Sequence, residues 1–173
     1  HDTEWGVPLH DERKLFEFMI LDAFQAGLSW RIVLHKRQGF AKAFANFDPK
    51  KVARFGAREV KRLVKDQKII RNRLKIQATI TNAKAFLDMQ KEWGSFDQYL
   101  WSFVKGRPII NRFLNQNDLP ARTPLSDAIS EDLKRRGFKF VGSTICYAFL
   151  QAAGLVNDHL TSCFRHTQIS PLK

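Results

Sequence analysis

The chain has 173 residues, 44% of them hydrophobic, which is enough for one domain with a buried core and too apolar for a disordered segment. Lysine and arginine number 29 against 17 acidic residues, a net charge of +12 that favours a polyanionic partner. No apolar run is long enough to span a bilayer and the basic residues are dispersed, so nucleic acid is preferred to a membrane; two cysteines are too few for a disulfide scaffold and fit a reducing compartment.

The pattern is helical throughout. Asp11 can cap a helix over residues 11–24 that carries Asp22 near its end. Residues 25–30 then bring Gly27, the apolar Leu28, a helix-starting Ser29 and Trp30. A tryptophan face beside a carboxylate is what a site needs to hold a flat, electron-poor ring. The plainer alternative is a core tryptophan and a solvated aspartate.

Asp48-Pro49 reads as an N-cap followed by proline at the first helical position. Val60, Leu63 and Val64 mark one face of a short helix, and Ile76, Ile80, Ala83 and Leu87 mark one face of a longer one. Gly94-Ser95 ends that helix and caps the next, which holds Leu100, Trp101 and Phe103. Residues 105–124 read as a connecting loop. Helices follow over 126–136 and 143–153, with Cys146 in the core, and residues 159–163 read as one further turn. Nothing alternates with period two for long enough to predict a sheet. The basic run Lys65, Lys68, Arg71, Arg73 and Lys75 reads as a solvated face with phosphate contact as the alternative.

Two local patterns carry chemistry. At 134–144 a basic helix end (Lys134, Arg135, Arg136, with Lys139 beyond it) meets a short turn before a second helix. Backbone N–H groups at such a helix start, aided by the helix dipole, suit a phosphate; an ordinary helix pair with a solvated end is the alternative. His159 and Cys163 stand four residues apart, so on a helix they share a face and supply half of a tetrahedral zinc site. His10, His35 and His166 lack partners at metal spacing and are expected at the surface.

Residues 2–8, 25–30, 136–147 and 154–159 with Cys163, in this order, closely resemble the DNA-3-methyladenine glycosylase I family, over almost the whole chain. The resemblance implies an all-α, helical single domain of the helix–hairpin–helix DNA glycosylase type over residues 1–173, the hairpin pair lying about residues 126–153 and the family's N-terminal segment missing. In that hairpin Phe140 takes the first of the usual two glycine positions and Gly142 the second. The activity implied is base excision repair: flipping N3-methyladenine out of alkylated DNA and hydrolysing its glycosidic bond, without lyase activity.

Asp22 then stands where the family usually has glutamate, as the acidic group that reads the base edge. Trp30 and Trp5 stack on the base. Gly27 and Leu28 form the wedge that enters the DNA stack, and Lys139, Val141, Gly142 and Ser143 grip the backbone. His1, His159 and Cys163 match three ligands of a structural zinc, placed away from the pocket, whose fourth ligand is a cysteine upstream of His1. With three ligands the site is expected to be open or lost.

N3-methylation makes the base a cationic leaving group, so the enzyme needs selection and positioning more than strong acid–base power. Asp158 is read as structural. The partner implied is double-stranded alkylated DNA, bound by a monomer in the bacterial cytoplasm, nucleoid-associated, with no membrane. Two alternatives remain: a non-catalytic helix–hairpin–helix DNA-binding protein, and a glycosylase whose substrate is shifted by Asp22.

Overall fold

Phenylalanine rings hold the interior together. Phe16, Phe24, Phe40, Phe44, Phe86, Phe96 and Phe138 are almost wholly buried and pack in one continuous core with leucine, isoleucine and alanine side chains. The structure, a computed structural model, describes residues 1–170.

α1 (Glu12–Gln25) begins where the Asp11 side chain accepts the Lys14 N–H at 2.9 Å, and its buried face runs from Leu15 to Phe24. α2 (Trp30–His35) and α3 (Arg37–Ala43) follow as short helices. Sequence periodicity does not predict either, because each is under two turns and buries only one or two side chains. Ala45, Asn46 and Phe47 all have φ between 52° and 54°, so the chain takes a left-handed turn here. Phe47 is driven into the core at its end.

Asp48 caps α4 (Pro49–Val52) with proline at the first helical turn, as its sequence implies. α5 (Ala57–Leu63) leads to the basic segment, and Asn72 then caps the longest helix, α6 (Arg73–Trp93). Gly94, with φ +83°, stops α6, and Ser95 caps α7 (Phe96–Ser102) through Gln98 N–H.

Residues 105–124 are mainly irregular but not wholly a loop. Ile109–Ile110 (β1) pairs in parallel with Val156–Asn157 (β2), a two-residue ladder too short for any alternation to show in the sequence. α8 (Pro124–Arg135) and α9 (Ser143–Ala152) pack against each other, and α9 also packs on α1. The chain ends its described part with α10 (Phe164–Gln168). Among the described residues, no helix is long and apolar enough to cross a membrane.

The segment 154–166 departs from the expected surface placement of His166. That imidazole is 9% exposed and bonds the Asn111 carbonyl at 2.8 Å, while Asn157 donates to the His166 carbonyl at 3.0 Å. Asp158 is buried and fully partnered, accepting from Tyr147, from Gln151 at 2.8 Å and from Asn111 at 2.6 Å. Its role is to tie α9 to the strand pair.

Candidate functional site

Asp22 lies on the buried face of α1 and reaches into a cavity of about 300 Å³. Its walls are Trp5, Phe18, Leu21, Trp30, Leu34 and Ala152, with His1, Glu4 and Arg37 completing the lining. Asp22 is 1% exposed, and among the described residues neither carboxylate oxygen has a hydrogen-bond partner. Burial alone pushes its pKa well above the usual carboxylate range. Leaving a buried acceptor unsatisfied costs about 1–3 kcal/mol. An apolar cavity with two indoles and one unpartnered acid is built to recognise a flat ring that brings its own donors or positive charge.

Trp30 enters the cavity because α2 starts at it, directly after the 25–29 loop. Trp5 enters from a strap, residues 1–9, laid over α9. Gly6 N–H and Leu9 N–H donate to the carbonyls of Ala152 and Ala153 at 3.2 and 3.0 Å. Gly6 has φ +81°, and a Cβ there would stand 2.8 Å from His159 Nε2, so only glycine lets the strap close on this histidine. On the other side Arg37 donates two bonds to Glu4, at 2.5 and 2.9 Å, and one to Glu17 at 2.7 Å. The Arg37 guanidinium holds Glu4's carboxyl below the usual range and is itself raised by both acids.

His1, His159 and Cys163 converge, with one donor atom from each lying within 4.8 Å of the others. Cys163 Sγ is 3.7 Å from His1 Nε2 and 3.7 Å from His159 Nδ1. The second nitrogen of each ring is held: His1 Nδ1 by Asp2 at 2.5 Å and His159 Nε2 by the Trp5 carbonyl at 3.3 Å. Two expectations are corrected. His159 and Cys163 do not share a helical face; Cys163 ends a turn closed by its N–H on the Leu160 carbonyl, just before α10. Nor is the cluster remote from the pocket. His1 lines the cavity, and the His159 ring meets Trp5 edge-on at 4.7 Å.

The second region is the turn between α8 and α9. Phe140 has φ +56°, a left-handed conformation that glycine adopts without cost and a phenylalanine holds only under constraint. The constraint is visible on both sides. Asn82, fully buried on α6, accepts the Lys139 N–H at 2.7 Å and donates to the Lys139 carbonyl at 3.0 Å. Ser130 donates to the Val141 carbonyl at 2.6 Å, and the Ser126 and Ser143 hydroxyls pair at 2.8 Å.

Among the described residues no acceptor takes the N–H groups of Phe140, Val141, Gly142 or Ser143. A side chain on Gly142 would meet nothing within 4 Å. Lys139 is exposed beside these amides, whereas the Val141 side chain is buried, which leaves Val141 only its amide to offer.

The third region is the loop between α1 and α2. Leu28 N–H bonds the Gln25 carbonyl at 2.6 Å, and the Gln25 amide returns a bond to the Leu28 carbonyl at 2.7 Å. Gly27 has φ +79° with open space around it, and Leu28 is half-buried, neither a core residue nor fully presented. Lys75 of α6 reaches under this loop and donates to the carbonyls of Phe24 at 2.9 Å and Ala26 at 2.6 Å. Desolvation lowers its pKa.

The structure therefore gathers Asp22, Trp30, Trp5 and His1 around one cavity, and places Gly27 and Leu28 on the connection that leads to Trp30. Glu4, Arg37 and Asn82 join these regions without any sequence signal, and Lys75, expected on a solvated basic face, is instead 7% exposed and turned onto backbone carbonyls. Their partners lie between 20 and 57 positions away, beyond the reach of local pattern.

Comparison with known proteins shows which family the chain resembles over its length. The sequence profile described as methyladenine glycosylase matches residues 1–166. DNA-3-methyladenine glycosylase 1 of Escherichia coli (strain K12) is 52% identical over 163 residues, covering 94% of this chain and 87% of that protein. DNA-3-methyladenine glycosylase of Haemophilus influenzae is 47% identical, covering 94% and 88%. A crystal structure of 3-methyladenine DNA glycosylase I in complex with 3-methyladenine superposes with a TM-score of 0.92 at 37% identity, covering 94% of this chain and 88% of that one. The family profile spans nearly all of the chain that forms the cavity, the strap and the α8–α9 turn, and on that match the chain belongs to the methyladenine glycosylase family.

Proposed function

We propose that this protein is a base excision repair glycosylase that binds alkylated DNA, takes an N3-methylated adenine into the Asp22 cavity and hydrolyses its N-glycosyl bond. The observation that carries this reading is Asp22 itself, a wholly buried acid with no hydrogen-bond partner among the described residues, in a cavity bearing Trp5 and Trp30. The methylated base is cationic and flat. Its charge supplies the counter-ion that the protein withholds from Asp22, and its faces meet the indoles. A neutral adenine supplies no such charge, so selection follows from the same desolvation that raises Asp22's pKa. The charged base is already a good leaving group, and the cavity contributes orientation and charge matching rather than a nucleophile.

Duplex DNA is gripped at the α8–α9 turn, acting as a helix–hairpin–helix. The free amides of 140–143, the open face of Gly142 and the Lys139 ammonium converge there on a phosphate-sized acceptor. Gly27 and Leu28 occupy the space left by the extruded nucleotide. The protein acts as a monofunctional enzyme and as a monomer.

His1 Nε2, His159 Nδ1 and Cys163 Sγ suit a structural zinc. A tetrahedral ion with bonds of about 2.0–2.1 Å to nitrogen and about 2.3 Å to sulfur is compatible with the two 3.7 Å spacings from Cys163 Sγ to the imidazole nitrogens, and these residues fill three of its four positions. The Asp2 and Trp5 contacts orient the two rings in the way outer partners orient zinc-bound histidines. When bound, zinc would supply a cross-link between the strap and the turn before α10.

The direct test is incubation with methylated duplex DNA and chromatography of the released base. 3-Methyladenine is expected. No released base would favour a non-catalytic DNA-binding protein, and a different base would favour a shifted substrate.

A further inference from the structure

Two buried polar side chains on α6, Lys75 and Asn82, are not accounted for by packing. Lys75 is 7% exposed and Asn82 wholly buried, in a helix face that, apart from Thr79, is made of apolar side chains such as Ile76, Ala78, Ile80, Ala83 and Phe86. An apolar residue would fill either position without desolvating a charge or an amide. Each polar group is instead spent on backbone belonging to a different element. Lys75 takes the Phe24 and Ala26 carbonyls, where α1 ends and the 25–29 loop begins. Its ammonium also stands 5.8 Å from the centre of the Phe140 ring, close enough for a cation–π contact. Asn82 takes both the N–H and the carbonyl of Lys139, the residue before the left-handed Phe140.

Seven residues apart, Lys75 and Asn82 lie on the same face of one rigid helix, separated by about 10 Å along its axis. Thr79 between them donates to the Lys75 carbonyl at 2.9 Å and continues the polar stripe. The helix thus fastens the loop that carries Leu28 and the turn that carries the free amides to one bar.

We propose that Lys75 and Asn82 are positioning residues for base extrusion, holding the 25–29 loop and the 137–142 turn in fixed relation so that wedge insertion and backbone grip occur together. This rests on the glycosylase reading above. Neither residue lines the base cavity, so the arrangement separates two properties that a general loss of structure would lower together. Affinity for the free base depends on Asp22 and the indoles, and affinity for a distorted duplex depends on the register of loop and turn.

The experiment compares wild type with Lys75→Met, Lys75→Arg and Asn82→Ala. Free 3-methyladenine binding is followed by tryptophan fluorescence. Binding to a duplex containing a tetrahydrofuran abasic analogue, with 2-aminopurine beside it to report unstacking, is followed in parallel. Lys75→Met and Asn82→Ala should keep free-base affinity within about twofold while losing about tenfold in duplex affinity, the scale of one hydrogen bond to a charged group, together with most of the 2-aminopurine signal. Lys75→Arg, which keeps the cation and its donors, should restore the duplex affinity. Duplex affinity that is unchanged in both deletions, or that falls only in step with free-base affinity, overturns the proposal. Failure of the parent reading shows separately, as a wild-type protein that binds no free 3-methyladenine.

Discussion

Asp22 is the residue whose chemistry and stability pull in opposite directions. The folded chain keeps a proton on this acid that the unfolded chain releases near pH 4, the ordinary aspartate range. Above that pH the folded state therefore binds more protons than the unfolded one, and stability falls as pH rises towards the folded-state pKa. Asp22→Leu removes the unpartnered acid and should raise stability by about 1–3 kcal/mol at neutral pH, the cost of an unsatisfied buried acceptor. Its advantage over wild type should shrink below about pH 4. The same variant should release no 3-methyladenine; thermal melts across pH with a base-release assay check both halves. Trp30→Ala should weaken free-base binding by about 1–3 kcal/mol, the worth of one aromatic–base stack, measured by NMR titration. Unchanged affinity in a folded variant would remove Trp30 from the base. At this scale the sequence was informative about residue type and silent about environment. A carboxylate and a tryptophan eight positions apart suggest a ring site, but only packing shows that Asp22 has no hydrogen-bond partner among the described residues.

Single elements carry the next set of consequences. The α8–α9 turn gathers free amides and Lys139, so Lys139→Ala should lower the log–log salt slope of DNA binding by about one unit if it neutralises one phosphate. A slope equal to wild type would take Lys139 out of the interface. The strap and the turn before α10 meet at His1, His159 and Cys163, three ligands that hold zinc more weakly than four, so in protein loaded with zinc Cys163→Ser should lower Tm and abolish bound zinc. A chelator should reproduce that loss in wild type and do nothing further in the variant; equal melts with and without chelator would leave the three as ordinary side chains. Capped and strongly periodic elements were legible from the chain: Asp11 before α1, Asp48-Pro49 before α4 and the Gly94-Ser95 boundary between α6 and α7 stand where local chemistry puts them. α2, α3 and the β1–β2 pair were not, because each is too short for a periodic signal and is held by distant contacts. His159 and Cys163 show the converse. Their spacing suggested a helix, and a turn closed at Leu160 brings them together instead.

Over the whole molecule, α6 and the strap decide the architecture of the site. α6 ties the 25–29 loop to the α8–α9 turn through Lys75 and Asn82, and the strap brings Trp5 across from the N-terminal residues to face a pocket rooted in α1. On the proposed reading, the net charge of +12 draws the protein to DNA of any sequence, and the cavity then discriminates one base by charge. Charge recognition by a buried acid is decided by release of base from duplex DNA carrying defined lesions. Wild type should liberate 3-methyladenine and leave unmodified adenine in place, and Asp22→Asn, similar in shape but without charge, should lose about ten- to hundredfold in kcat/KM, the range of a charge-assisted hydrogen bond. An Asp22→Asn protein as active as wild type, or a wild type that releases unmodified adenine equally well, would contradict it.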